Sequence, residues 1–216
     1  MIGFLGGTFD PIHNGHLHAA AAAAAALDLE RVHLVLAARP RHRAPPAASI
    51  EQRWAMLELA VQDSHLLRAD DREIRRATPS YTVDTLEAWR AEHGVRAPVV
   101  WLLGWDAYRR LPSWHRWGTL SSLAHLAVLS RPGSDAALDD EMLQFTVAHR
   151  VTEPAALHRT PCGHVIFIDV PMLPISSTDI RTRLSRAEDV RQLLPPRVWT
   201  YIKAHRMYAD AGPPPG

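Results

Sequence analysis

The sequence predicts an α/β fold: a doubly wound parallel sheet with helices on both faces, in a single domain. Three observations carry that expectation. Short runs rich in Val, Leu and Ile alternate with longer helical patterns, the order produced by repeated βαβ units. The runs are nearly continuous in apolar residues, as in strands covered on both sides. Several of them stop at glycine- or proline-bearing turns, on the edge where such a sheet binds ligands.

The first strand is expected at residues 2–5, ended by Gly6-Gly7. Asn14-Gly15 opens a helix whose body holds eight consecutive alanines, 19–26; alanine is the best helix former, and its small side chain lets a helix lie close to a sheet. Residues 31–38 read as a buried strand, 38–49 as a proline- and arginine-rich loop, and Ser49 as the cap of a helix over 50–62. A weaker strand is expected near 66–69, then a helix capped by Thr82 that stops near Gly94. Residues 98–103, closed by Gly104, and 124–130, closed by Arg131-Pro132-Gly133, are further strands. A helix is expected over 137–150 and the last strand over 165–170, with two short helices over 177–184 and 196–205. The domain is taken as 1–208, and the tail 209–216 is expected to be disordered.

Composition narrows the function. The chain has 216 residues, 47% hydrophobic and 22% charged, enough to bury about 70% of its unfolded surface without a staple. Cys162 is the only cysteine, so no internal disulfide forms and a reducing compartment fits. A net charge of +1 argues against nucleic-acid coating. No apolar run reaches the roughly 18 residues of a membrane span, and the first residues carry no basic leader. The expectation is a cytoplasmic protein with neither nucleic acid nor membrane as partner; a homo-oligomer is compatible with all of this. Lys203 is the only lysine among 24 basic residues, so no single arginine is informative merely for not being lysine.

The segment Gly6-Gly7-Thr8-Phe9-Asp10-Pro11-Ile12-His13-Asn14-Gly15-His16 carries the chemistry. Glycines after a strand let a ligand approach the backbone. A helix start leaves N–H groups unpaired and favours anions, and His13 and His16 share one face of it. Together they describe a polyphosphate cradle. Zinc held by His13, His16 and His18 is the competing reading, but no Cys, Asp or Glu stands nearby at metal spacing. About 160 residues on, Ile175-Ser176-Ser177-Thr178-Asp179-Ile180-Arg181 offers hydroxyls and N–H groups at a helix start, plus an arginine able to grip a phosphate bidentately. Alone, it also reads as a helix cap with an incidental arginine.

GGTFDPIHNGH resembles the signature of the HxGH nucleotidyltransferases, and its TFDPIHNGHL form is similar to bacterial nicotinate-nucleotide adenylyltransferases; the segment from Ile175 to Arg181 is similar to the superfamily's ISSTxIR motif. Pro79-Ser80-Tyr81-Thr82-Val83-Asp84-Thr85-Leu86, Gly104-Trp105-Asp106 with Trp114, and Arg131-Pro132-Gly133 resemble further segments of that family. The resemblance implies a Rossmann-like fold and transfer of AMP from MgATP to nicotinate mononucleotide. The products are nicotinate adenine dinucleotide and pyrophosphate, so the reaction belongs to NAD biosynthesis. It implies catalysis by His13, His16 and Arg181, with ATP held by Gly6, Gly7, Thr8, Phe9, Asp10, Gly15, Arg131, Ser176, Ser177 and Thr178. It places the acceptor against Thr82 or Thr85, Gly104, Asp106 and Trp114, the tryptophan stacking on the pyridine ring. Mg²⁺ arrives with ATP, and no protein metal site is expected.

The chain departs from the pattern in three places. Arg43 stands where the family often shows a lysine and is the candidate to replace it against the acceptor, Trp105 is bulkier than usual, and residues 134–163 match nothing in the pattern. Nicotinamide mononucleotide or phosphopantetheine as acceptor, a non-catalytic nucleotide-binding module and a metal-dependent hydrolase are the alternative readings.

Overall fold

A computed structural model describes residues 1–40, 45–130, 137–171 and 173–209. Among the described residues, seven strands form one sheet: β1 (Ile2–Gly7), β2 (Arg31–Leu36), β3 (Leu67–Asp70), β4 (Val99–Gly104), β5 (His125–Ser130), β6 (Arg150–Val151) and β7 (Val165–Asp169). The order is β3-β2-β1-β4-β5-β7-β6, and every pairing is parallel. The winding reverses between β1 and β4, so the C-terminal ends of these two strands flank the crevice where such sheets bind ligands.

Nine helices accompany the sheet in the described residues: α1 (Asn14–Leu27), α2 (Ile50–Val61), α3 (Arg72–Arg75), α4 (Thr82–His93), α5 (Trp105–Tyr108), α6 (Leu120–Leu123), α7 (Asp140–His149), α8 (Ser177–Ser185) and α9 (Pro196–Ala204). Alternate strand residues feed two cores. One holds Leu34, Leu36 and Leu102 with the alanine face of α1, Leu57 of α2, Ile180 of α8 and Ile202 of α9. The other holds Phe4, Val35 and Trp101 with Leu86 of α4 and Tyr108 of α5. Helices therefore cover both faces of a single-domain α/β sheet. None of the described helices is long and apolar enough to cross a membrane.

Most expected elements are present, with shifts that have physical causes. Ser49 caps α2: its hydroxyl accepts from Gln52 N (3.2 Å), while Gln52 Oε1 accepts from Ser49 N (3.0 Å), a reciprocal box. Thr82 is not the cap of α4. Tyr81, extended at φ −121°, is the cap residue, and Thr82 is the first helical residue. The stretch 134–163 yields α7, a 3₁₀ turn at Pro154–His158 and the edge strand β6. With only two residues, β6 leaves no alternation to read. The Asp139 carboxylate caps α7 by accepting from Met142 N (2.9 Å). Of the tail, residues 210–216 lie outside the described residues.

Candidate active site

A cavity of about 690 Å³ opens at the C-terminal ends of β1 and β4. Its walls come from the turn after β1, the loop before α2, the start of α4, the segment after β4 and the start of α8. Gly6, Gly7, Thr8, Phe9, Asp10, His16, Thr82, Gly104, Asp106, Trp114, Ser177, Thr178 and Arg181 all line it. The structure thus brings together, around one space, residues more than 160 positions apart. Arg43 and Arg131 lie outside the described residues.

The turn after β1 is built by close packing. A Cβ on Gly6 would come within 2.7 Å of the Trp101 ring, and one on Gly7 within 2.6 Å of the Phe9 ring. The two glycines therefore make room for aromatic side chains of the protein itself, as well as exposing backbone to the cavity. Phe9 adopts the left-handed region at φ 48°, which turns the chain toward Asp10 and the cis Asp10–Pro11 bond.

The two histidines are placed differently. His13, the extended residue preceding α1, is 4% exposed and stands behind the cavity wall. Its ring stacks on His16, with centroids 3.7 Å apart and planes 25° from parallel. Burial pushes the His13 imidazole down to about 4, so it is neutral at pH 7, and its Nδ1 makes no hydrogen bond among the described residues. Gly15 allows this placement, because a Cβ there would lie 3.0 Å from His13 Nδ1. His16 faces the cavity. Its Nδ1 accepts the His13 backbone N–H (3.3 Å), which assigns the ring proton of the neutral form to Nε2.

The start of α8 docks onto the same turn. Ser176, exposed and outside the cavity lining, caps the helix by accepting from Asp179 N (3.1 Å). Ser177 donates to the Pro11 carbonyl (3.0 Å). Arg181 Nη1 donates to the Asp10 carbonyl (2.7 Å) and lies 3.6 Å from the Asp10 carboxylate. That carboxylate, buried, accepts from Ala47 N (2.8 Å), Ala48 N (3.1 Å) and the Tyr208 hydroxyl (2.8 Å). Asp10 therefore ties the loop before α2 and the C-terminal segment to the turn.

Of the two threonines expected at the acceptor, Thr82 reaches the cavity and Thr85 does not. The Thr85 hydroxyl is fully buried, donating to Glu73 Oε1 (2.6 Å) and accepting from Arg76 Nη2 (2.6 Å). Glu73 itself lines the cavity, and burial pushes its carboxyl above the usual range. A Cβ on Gly104 would meet nothing within 4 Å, so the space above it belongs to the cavity. Among the described residues, no three His, Cys, Asp or Glu side chains come together as a metal-holding group.

Three supporting residues escape a reading by motif. Arg53, 1% exposed, donates to the carbonyls of Thr8 (3.0 Å), Ala37 (2.9 Å), Ala38 (3.0 Å) and Ala48 (3.3 Å). The signal was its position: Arg53 falls in phase with Ile50, Leu57 and Val61 on the apolar stripe of α2. Glu73 and Tyr208 carry no comparable mark in the sequence.

Fold and site together define a nucleotidyltransferase. Residues 4–183 match the family model described as cytidylyltransferase-like. Relatives named as probable nicotinate-nucleotide adenylyltransferases include one from Pectobacterium atrosepticum, 45% identical over 96% of this chain and 98% of its own. Another, from Pseudomonas fluorescens, is 45% identical over 96% of each chain. The chain belongs to the nicotinate-nucleotide adenylyltransferase family. The fold also matches the Plasmodium falciparum nicotinic acid mononucleotide adenylyltransferase complexed with NaAD, with a TM-score of 0.72 and 18% identity over 96% of each chain.

Proposed function

We propose that the cavity holds MgATP along the Gly6–Asp10 turn and the start of α8, and nicotinate mononucleotide against Thr82, Asp106 and Trp114. The carrying observation is that one cavity joins His16, Arg181 and the Thr82/Asp106/Trp114 wall, the groups that phosphate and acceptor each require. A phosphate oxygen of the acceptor attacks the α-phosphorus of ATP. The bond from that phosphorus to the bridging oxygen breaks, and pyrophosphate leaves with the bonding electrons. No protein nucleophile takes part, so positioning and charge stabilisation supply the rate.

In this reading, His16 donates from Nε2 to an oxygen on the reacting phosphorus, where charge builds. His13, neutral and stacked beneath, fixes the His16 ring through the backbone bond to Nδ1 and acts through it. Arg181 takes the β- and γ-phosphates, and the indole of Trp114 covers the pyridine ring. A cytoplasmic location belongs to the same reading, since ATP is supplied there and Cys162 is free. ATP labelled at the α-phosphorus tests the proposal: the label is expected in nicotinate adenine dinucleotide. Label recovered only in AMP would mean hydrolysis and would refute it.

A further inference from the structure

The C-terminal segment reaches back across the molecule to the nucleotide turn. Tyr208 donates its hydroxyl proton to Asp10 Oδ1 at 2.8 Å, and Ala48 N donates to the same oxygen at 3.1 Å. Oδ2 accepts from Ala47 N at 2.8 Å. Burial and the neighbouring carboxylate push the Tyr208 phenol far above its ordinary value, so it remains a donor at any working pH. Arg181 approaches from the cavity side. Its Nη1 bonds the main-chain carbonyl of Asp10 at 2.7 Å, yet stays 3.6 Å from Oδ2 of the carboxylate. Its Nε and Nη2 have no hydrogen-bond partner among the described residues, and its side chain is 31% exposed.

An arginine beside a buried carboxylate ordinarily closes into a bidentate pair. Three other donors hold this carboxylate instead, two of them main-chain groups of one loop. We propose that Tyr208 is a positioning residue: bidentate closure needs both carboxylate oxygens, and with Ala48 N it fills Oδ1, the oxygen beyond the Oδ2 that faces Arg181, so the fork cannot close and the outer N–H groups of Arg181 stay available to the polyphosphate of ATP. The inference rests on the cavity being the ATP site. It gives the turn at Tyr208 a part in nucleotide affinity, from a residue that touches no substrate.

The test is a double-mutant cycle read by calorimetric binding of a non-hydrolysable ATP analogue with Mg²⁺, a measurement that needs no turnover. Tyr208→Phe keeps the ring and removes only the hydroxyl. It is expected to weaken the analogue at least threefold while leaving the KM for nicotinate mononucleotide unchanged. In the Arg181→Ala background the same change is expected to have no further effect. A Tyr208→Phe protein that binds like the natural chain would overturn the proposal. So would losses that simply add, since a purely structural role would act equally in both backgrounds, and so would a natural chain that fails to bind the analogue. Pyrophosphate release on the same samples separates the two claims. Coupling without release leaves the positioning role and removes the transferase reading; release without coupling does the reverse.

Discussion

Replacing Arg53 by methionine removes a buried guanidinium while keeping an unbranched stem of similar length in place. Four carbonyls lose their donor: those of Thr8, Ala37, Ala38 and Ala48, now bonded at 2.9–3.3 Å. A hydrogen bond from a charged group is worth about 1.5 kcal/mol or more net, and a buried polar atom left unmade costs about 1–3 kcal/mol. Some of the carbonyls will regain water from the cavity, so the expected loss is about 3–5 kcal/mol. For a chain of this size that lowers the melting midpoint by roughly 6–20 °C. Urea unfolding, with the slope checked for constancy, measures it. Arg53→Lys keeps the charge but loses the planar fork, and should recover less than half of the loss. Because the four carbonyls belong to segments around the cavity, MgATP affinity should fall with stability. A loss under about 1 kcal/mol, or full rescue by lysine, would refute the reasoning.

Four further outcomes are expected. His13 and His125 are both pushed by burial from 6.5 down to about 4, so between those values the unfolded chain binds more protons than the folded one. Stability should therefore be complete above the unfolded value and fall with pH below it, by about 1.4 kcal/mol per pH unit for each histidine; urea midpoints that stay flat down to about pH 5 would contradict this. Gly7→Ala, whose Cβ would sit 2.6 Å from the Phe9 ring, should destabilise by about 1–3 kcal/mol and weaken ATP binding, read by thermal melting and calorimetry; a neutral variant would show that Phe9 has room to move. Trp114→Ala should raise the KM for nicotinate mononucleotide roughly 2–12-fold, the worth of one aromatic stack, and leave the KM for ATP alone; equal rises in both would place Trp114 outside the acceptor wall. His16→Ala should lower kcat far more than it weakens ATP analogue binding, and matched losses would remove its role at the transition state.

The sheet was legible because β4, β5 and β7 are nearly continuous in apolar residues and its helices announce themselves, by eight alanines in α1 and by the Ser49/Gln52 box in α2. What stayed hidden was short or non-local. β6 has two residues and exists only because it pairs with β7. His13 and His16 look equivalent in the sequence, and burial alone separates them. Thr82 and Thr85 lie three residues apart, and which one meets the cavity depends on Glu73 and Arg76 having taken the Thr85 hydroxyl. The hold of Tyr208 on Asp10 spans 198 positions, a contact that neither periodicity nor spacing can display.

The central claim is that one cavity joins ATP to a mononucleotide acid. The most direct measurement is pyrophosphate release with MgATP, offering nicotinate mononucleotide, nicotinamide mononucleotide and phosphopantetheine in parallel. Release fastest with nicotinate mononucleotide is the predicted result. Release confined to another acceptor would move the acceptor assignment of Thr82, Asp106 and Trp114, and no release from a folded, ATP-binding protein would contradict the account.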